Sequence, residues 1–229
     1  MNESLQAAYS GSAVLAEQRN RVLRNTYWLL ALSLVPTVLG AWIGVATGIT
    51  TLLSPGISMI VFFAGAFGFM FAIQKTKDSS TGVLLLLAFT FFMGLMLSRM
   101  IGAVLGFRNG STLVMMAFGG TAGIFFVMAS LASVVKRDLS GMGKFLTVGA
   151  LIVLVGFIAN FFLQSSALML TLLVLCLGVF SAFILYDVKR VLDGGETNYV
   201  MATLGIYLSI YNVFQSLLAL LGIFGGDSD

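Results

Sequence analysis

The sequence predicts an all-α, polytopic membrane protein: seven transmembrane helices, with the seventh at the centre of the bundle. Three observations carry the seven spans, and the polar face of the last span, described below, carries its central place. Of the 229 residues, 59% are hydrophobic and only 9% charged, whereas a soluble domain carries about 25% charge. Apolar runs of about 18 to 25 residues recur along the whole chain, and each is long enough to cross about 30 Å of hydrocarbon at 1.5 Å per residue. The lysines and arginines fall between those runs and collect on one side of them.

Residues 1–26 form a polar leader with too little apolar surface to order itself, and a flexible tail is expected there. The first span, 27–47, has no small-residue cleavage site behind it and reads as a helix that stays in the chain. Spans at 57–74, 83–101 and 112–135 follow. Spans 145–163 and 167–187 are separated by little more than Ser165-Ser166, which forces an antiparallel helical hairpin. A polar loop leads to the last span, 200–223, and residues 224–229 form a short acidic tail. One membrane domain, 27–223, is expected, with no soluble module.

With the leader on one side, that side receives Arg19, Arg21, Arg24, Lys75, Lys77, Lys136, Arg137, Lys144, Lys189 and Arg190, against Arg99 and Arg108 on the other. Ten against two places the N-terminus in the cytoplasm by the positive-inside rule, and seven crossings place the C-terminus outside. The net charge of +3 therefore reads as orientation and does not suggest nucleic acid.

Composition narrows the chemistry. There is no histidine, so a Ser/His protease in the membrane is excluded. The last span has no lysine for a retinal Schiff base. Cys176, the only cysteine, gives neither a disulfide nor a Cys/His metal site. An aspartyl protease needs two carboxylates sharing a site, and Asp187 is the one span-embedded candidate, with Asp193 and Glu196 in the loop beyond. No catalytic residue, metal ligand or cofactor is proposed.

The polar content of the last span is the densest. Gly205, Ser209, Asn212 and Ser216 share one helix face, with Tyr211 and Gln215 beside it. Such a face should be wrapped by other helices, either as hydrogen-bonding glue or as the wall of a solute or ion pathway. Asn160 and Gln164 in span five carry the same two readings. Asp187 is either an interfacial charge paired with Lys189 and Arg190 or a buried carboxylate facing span seven. Small residues four apart, at Gly40/Gly44, Ala64/Gly68, Gly102/Gly106 and Gly119/Gly123, could each let helix backbones approach closely.

The loop Asp193-Gly194-Gly195-Glu196-Thr197-Asn198-Tyr199, followed by Ile206-Tyr207-Leu208-Ser209-Ile210-Tyr211-Asn212-Val213-Phe214, resembles the bacterial branch of the transmembrane Bax inhibitor motif family. Val22-Leu23-Arg24-Asn25-Thr26-Tyr27, Gly119-Gly120-Thr121-Ala122 and Ala159-Asn160-Phe161-Phe162-Leu163-Gln164 extend the resemblance over essentially the whole chain. It implies a bacterial inner-membrane protein that modulates a membrane-anchored AAA protease, with that protease, its scaffolding proteins and the bilayer as partners. Inhibition combined with slow degradation is expected, engaged through residues 1–24, from Met1 to Arg24. The polar cluster Asp187, Ser209, Asn212 and Gln215 and the loop residues Gly194, Gly195, Glu196 and Asn198 are the candidate functional positions. The alternative is a calcium or proton leak. Family members read as calcium leaks carry a second aspartate, where this chain has Ser209, and an arginine in span two, where it has none, so that activity is not carried over intact.

Overall fold

The computed structural model describes the backbone of residues 3–226 and the side chains of residues 17–226. Seven α-helices run through the described residues: α1 Glu3–Thr47, α2 Pro55–Thr76, α3 Ser80–Leu105, α4 Gly110–Val134, α5 Met142–Leu163, α6 Ser166–Leu192 and α7 Tyr199–Gly225. All seven are long and apolar enough to span a membrane. Large apolar side chains such as Trp28, Trp42, Phe71, Phe126, Phe145 and Phe162 point outward. An apolar exterior of this kind suits lipid as its solvent.

Helix α7 is the axis. It packs against α1, α2, α3, α4 and α6, and its buried residues, among them Val200, Ile206, Tyr207, Tyr211, Val213 and Leu218, lie all round its circumference. A helix buried on every side, its polar residues included, lies inside the bundle.

The tightest pair is α1 with α3. A Cβ at Gly40 would collide with the backbone of Phe91 and Leu95, one at Gly44 with the Ser98 side chain, and one at Gly94 with the backbone of Thr37. Two small-residue surfaces thus interlock, as expected where lipid supplies no hydrophobic drive and dispersion between close backbones does the holding. By contrast, Gly68, Gly102, Gly119 and Gly123 face open space. Of the four candidate pairs, Gly40/Gly44 is a helix–helix contact.

The expected leader differs from the structure. No glycine or proline interrupts residues 12–35, and Ala, Leu, Glu, Gln and Arg dominate 13–24, so helix α1 runs unbroken from Glu3 into the membrane span. Val22 is buried in a cluster with Val191 and Ala202, and Thr203 donates from its hydroxyl to the Thr26 carbonyl at 3.3 Å. The expected mobility therefore does not extend to residues 22–26. Met1 and Asn2 lie outside the described residues, as do the side chains before Glu17.

The hairpin forms as expected. Gln164 takes a left-handed conformation (φ 51°) at the end of α5, the buried Asn160 accepts the Ser165 N–H at 3.0 Å, and Ser165 caps α6 through Leu168. Asn160 is thus part of the turn.

The core carries polar links that seat α7. The hydroxyls of Tyr207 and Thr37 lie 2.9 Å apart, Tyr207 also reaches the Thr90 carbonyl at 3.4 Å, and Tyr211 donates to the Met93 carbonyl at 3.3 Å. Tyr207→Phe is expected to cost about 1 kcal/mol, because the Thr37 hydroxyl keeps its bond to the Ser33 carbonyl. Thermal unfolding in detergent checks it; a loss above about 3 kcal/mol would mean the hydroxyl does more than join α1 to α7.

Candidate functional site

Asp187, Ser209 and the predicted loop residues lie toward the end of the bundle that carries the basic side chains, in two layers. The inner layer joins α6 and α7. Helix α6 continues to Leu192, more than a turn beyond Asp187, so Asp187 stands within the helix. Its half-buried carboxylate turns toward α7, where Ser209 donates to Oδ2 at 3.5 Å and to the Gly205 carbonyl at 3.1 Å. Gly205 leaves room for this: a Cβ there would come within 3.3 Å of Oδ2.

The basic neighbours pair elsewhere. Lys189 Nζ meets Asp193 Oδ1 at 2.8 Å, and Arg190 Nη2 meets Glu196 Oε2 at 3.3 Å. Among the described residues no cluster of three or more acids, cysteines or histidines could hold a metal ion. Further along α7, Asn212 donates to the Leu208 carbonyl of its own helix at 2.8 Å, and Gln215 is half-buried one turn away. The structure brings Asp187 and Ser209 together; Asn212 and Gln215 sit farther along α7.

The outer layer is the α6–α7 loop, which ties four parts of the chain. Gly194 adopts φ 79°, a conformation that costs glycine little and other residues more. A Cβ there would also press on Arg19 of α1, whose guanidinium donates to the Leu192 carbonyl at 3.4 Å. The Gly195 carbonyl accepts Arg190 Nε at 3.3 Å. Glu196 Oε1 accepts the Asn198 N–H at 3.0 Å. Asn198 in turn caps α7: its Oδ1 accepts the N–H groups of Val200 and Met201, each at 3.0 Å. Its Nδ2 donates to the Lys77 carbonyl at 3.1 Å and to Asp78 Oδ1 at 2.8 Å, fastening the loop to the α2–α3 turn.

Between this loop and α1 lies a cavity of about 330 Å³, lined by Gln18, Arg19, Val22, Asp193, Glu196 and Thr197 among others. Across the same end, the Ser140 N–H and hydroxyl hold the Asp138 carboxyl below the usual carboxylate range. Hydrogen bonds thus join Arg19 of α1, the α2–α3 turn and the α6–α7 loop at this end of the bundle. Sequence reasoning missed Thr203 and Tyr207, although Thr203, Tyr207 and Tyr211 fall four residues apart on one face of α7.

A family model described as inhibitor of apoptosis-promoting Bax1, Bax1-I, matches residues 19–226. The chain is 38% identical over 208 residues to the modulator of FtsH protease YccA of Escherichia coli K12, covering 91% of this chain and 92% of that protein. The same values hold for the inner membrane protein YccA of Escherichia coli O6:H1. An uncharacterised protein of Pseudomonas aeruginosa is 36% identical over 221 residues, 96% of this chain and 97% of its own length.

Proposed function

The chain belongs to the Bax1-I family, and from that premise we propose that it is an inner-membrane modulator of a membrane-anchored AAA protease of the FtsH kind. The observation that carries this reading is the 38% identity, over 91% of the chain, to a protein named for that role. The relative named as an inner membrane protein supports the location, and the ten-to-two charge asymmetry supports a cytoplasmic N-terminus.

The mechanism follows from where a pulling enzyme would have to begin. The protease grips the N-terminal segment, residues 1–24, and draws on α1. That pull first meets the Arg19–Leu192 bond and the buried Val22, then the interlocked backbones of α1 and α3 around Gly40 and Gly94. Dislocation stalls there, so the chain is degraded slowly and occupies the protease while other substrates wait.

The test is the lifetime of a known membrane substrate of the protease in cells overproducing the full chain or a version lacking residues 1–20, a deletion that leaves Val22 and Thr26 in place. Stabilisation by the full chain alone is expected. Stabilisation by both versions would move the inhibitory contact into the bundle and overturn the role of the tail. No effect from either would overturn modulation itself and favour the second reading, a cation leak, whose one supporting observation is the half-buried Asp187 carboxylate beside Ser209; calcium flux through liposomes would then decide.

A further inference from the structure

Helices α1 and α4, with α7 and Leu97 of α3, line an apolar groove of about 680 Å³. Leu34 of α1 and Ala122 and Ala129 of α4 form its walls, and Leu97 of α3 lies at its floor. The rings of Tyr27 and Phe125 meet edge to face, 6.3 Å between centroids. Tyr207 and Tyr211 also line it, but their hydroxyls are engaged by Thr37, Thr90 and Met93, so the floor presents carbon.

Length decides what fits. The groove runs from Leu23 to Val38 along α1 and from Ser133 to Phe118 along α4, which at 1.5 Å per residue is about 22 Å. One leaflet with its headgroup layer is half of the 40 to 45 Å bilayer, also about 20 to 22 Å. A partner's transmembrane helix must cross about 30 Å of hydrocarbon and would overrun the groove; one lipid would not.

Charge decides which lipid. Arg24 is exposed three residues before Tyr27, and positions 24, 27, 31, 34 and 38 repeat along one face of α1 at spacings of three and four. Lys136 and Arg137, also exposed, follow directly on the last residue of α4's cap, Val135. The hydroxyls of Ser130 and Ser133 stand at the same mouth. The acid nearest in sequence, Asp138, stays ionised under its Ser140 hydrogen bonds, so these three cations and this carboxylate leave two net positive charges. Three exposed cations that neighbour the lining residues Leu23, Tyr27 and Ser133 in sequence, at the basic end of an apolar slot between helices, match the chemistry that selects an anionic headgroup.

We propose that this groove holds one anionic phospholipid of the leaflet at the basic end, an acyl chain lying between α1 and α4 and the phosphate among Arg24, Lys136 and Arg137. The inference is independent of the modulator reading. Its consequence is a bridge between α1, the first helix in the chain, and α4.

The test is native mass spectrometry of the full chain in detergent, titrated with phosphatidylglycerol or with phosphatidylcholine carrying the same acyl chains. The first phosphatidylglycerol is expected to bind about tenfold or more tightly than phosphatidylcholine, since each basic residue near a charged lipid surface contributes about 1 kcal/mol, roughly fivefold. The triple variant R24A/K136A/R137A, all at exposed positions, should erase that preference while leaving phosphatidylcholine binding unchanged. Ala122→Phe, which fills the groove, should weaken the first site for both lipids. Equal binding of the two lipids by the natural chain, or a preference that survives the triple variant, would overturn the proposal. So would a membrane protein that Ala122→Phe displaces while phosphatidylglycerol binding stays intact.

Discussion

Gly94→Val is expected to destabilise the bundle by about 3 kcal/mol or more and to shorten the chain's life in cells several-fold. A side chain at position 94 of α3 meets not a flexible neighbour but the carbonyl, carbonyl carbon and Cα of Thr37 on α1, so relief requires the two helices to move apart. Overpacking a core ordinarily costs about 1 to 3 kcal/mol where side chains can adjust; backbone against backbone lies at or beyond the top of that range. Separation would also unseat Thr37, which holds the Tyr207 hydroxyl at 2.9 Å, and with it the link from α1 to α7. The control is Gly119→Ala on the outer face of α4, where an added Cβ meets nothing within 4 Å. A mid-helix glycine is intrinsically unfavourable by about 0.5 to 1 kcal/mol relative to alanine, so that change should be neutral or slightly stabilising. Thermal unfolding in detergent and pulse-chase lifetimes read both. A Gly94→Val chain as stable as the Gly119→Ala chain would remove the α1–α3 interlock from the account, and with it the reason for slow extraction.

Asn198→Ala carries the second-largest expected effect, about 2 to 3 kcal/mol. Loss of an N-cap side chain costs about 0.5 to 2 kcal/mol, and here the same amide also fastens α7 to the α2–α3 turn through the Lys77 carbonyl and Asp78. Asn198→Asp separates the two roles. A carboxylate keeps an acceptor at the helix N-terminus, where the helix dipole favours negative charge, but it cannot donate to Lys77 and it faces the like charge of Asp78. The aspartate variant should therefore fall between the natural chain and the alanine variant. Limited proteolysis of the α6–α7 loop should follow the same order. If aspartate and alanine prove equally damaging, the tie to the α2–α3 turn, rather than the cap, holds the loop; if aspartate is silent, that tie contributes nothing.

Much of this architecture is legible in the residues. Seven apolar windows, the two-residue connection at Ser165-Ser166 and the polar content of the last span become seven helices, a hairpin and a central α7. The Gly194-Gly195-Glu196 loop stands out in the sequence and becomes the junction of α1, α6, α7 and the α2–α3 turn. The leader is read less well, because its polarity suggests a free tail while an uninterrupted run of helix formers continues α1 through it, and Val22 finds a buried place against Val191.

Sequence by itself determined the number of spans, their order and the asymmetry of their charges, because hydrophobic length and the cost of carrying lysine or arginine through lipid are properties of each segment alone. Tertiary structure alone decided that Gly40, Gly44 and Gly94 interlock while Gly119 and Gly123 face outward, that Asp187 turns to Ser209 while Lys189 and Arg190 pair in the loop, and that α1 and α4 line a common groove. The reason is the solvent. In water an apolar stripe announces which way a helix faces, but lipid is as apolar as the bundle's interior, so the rotation of each helix leaves little trace in its hydropathy and is set by the shapes that meet when the helices pack.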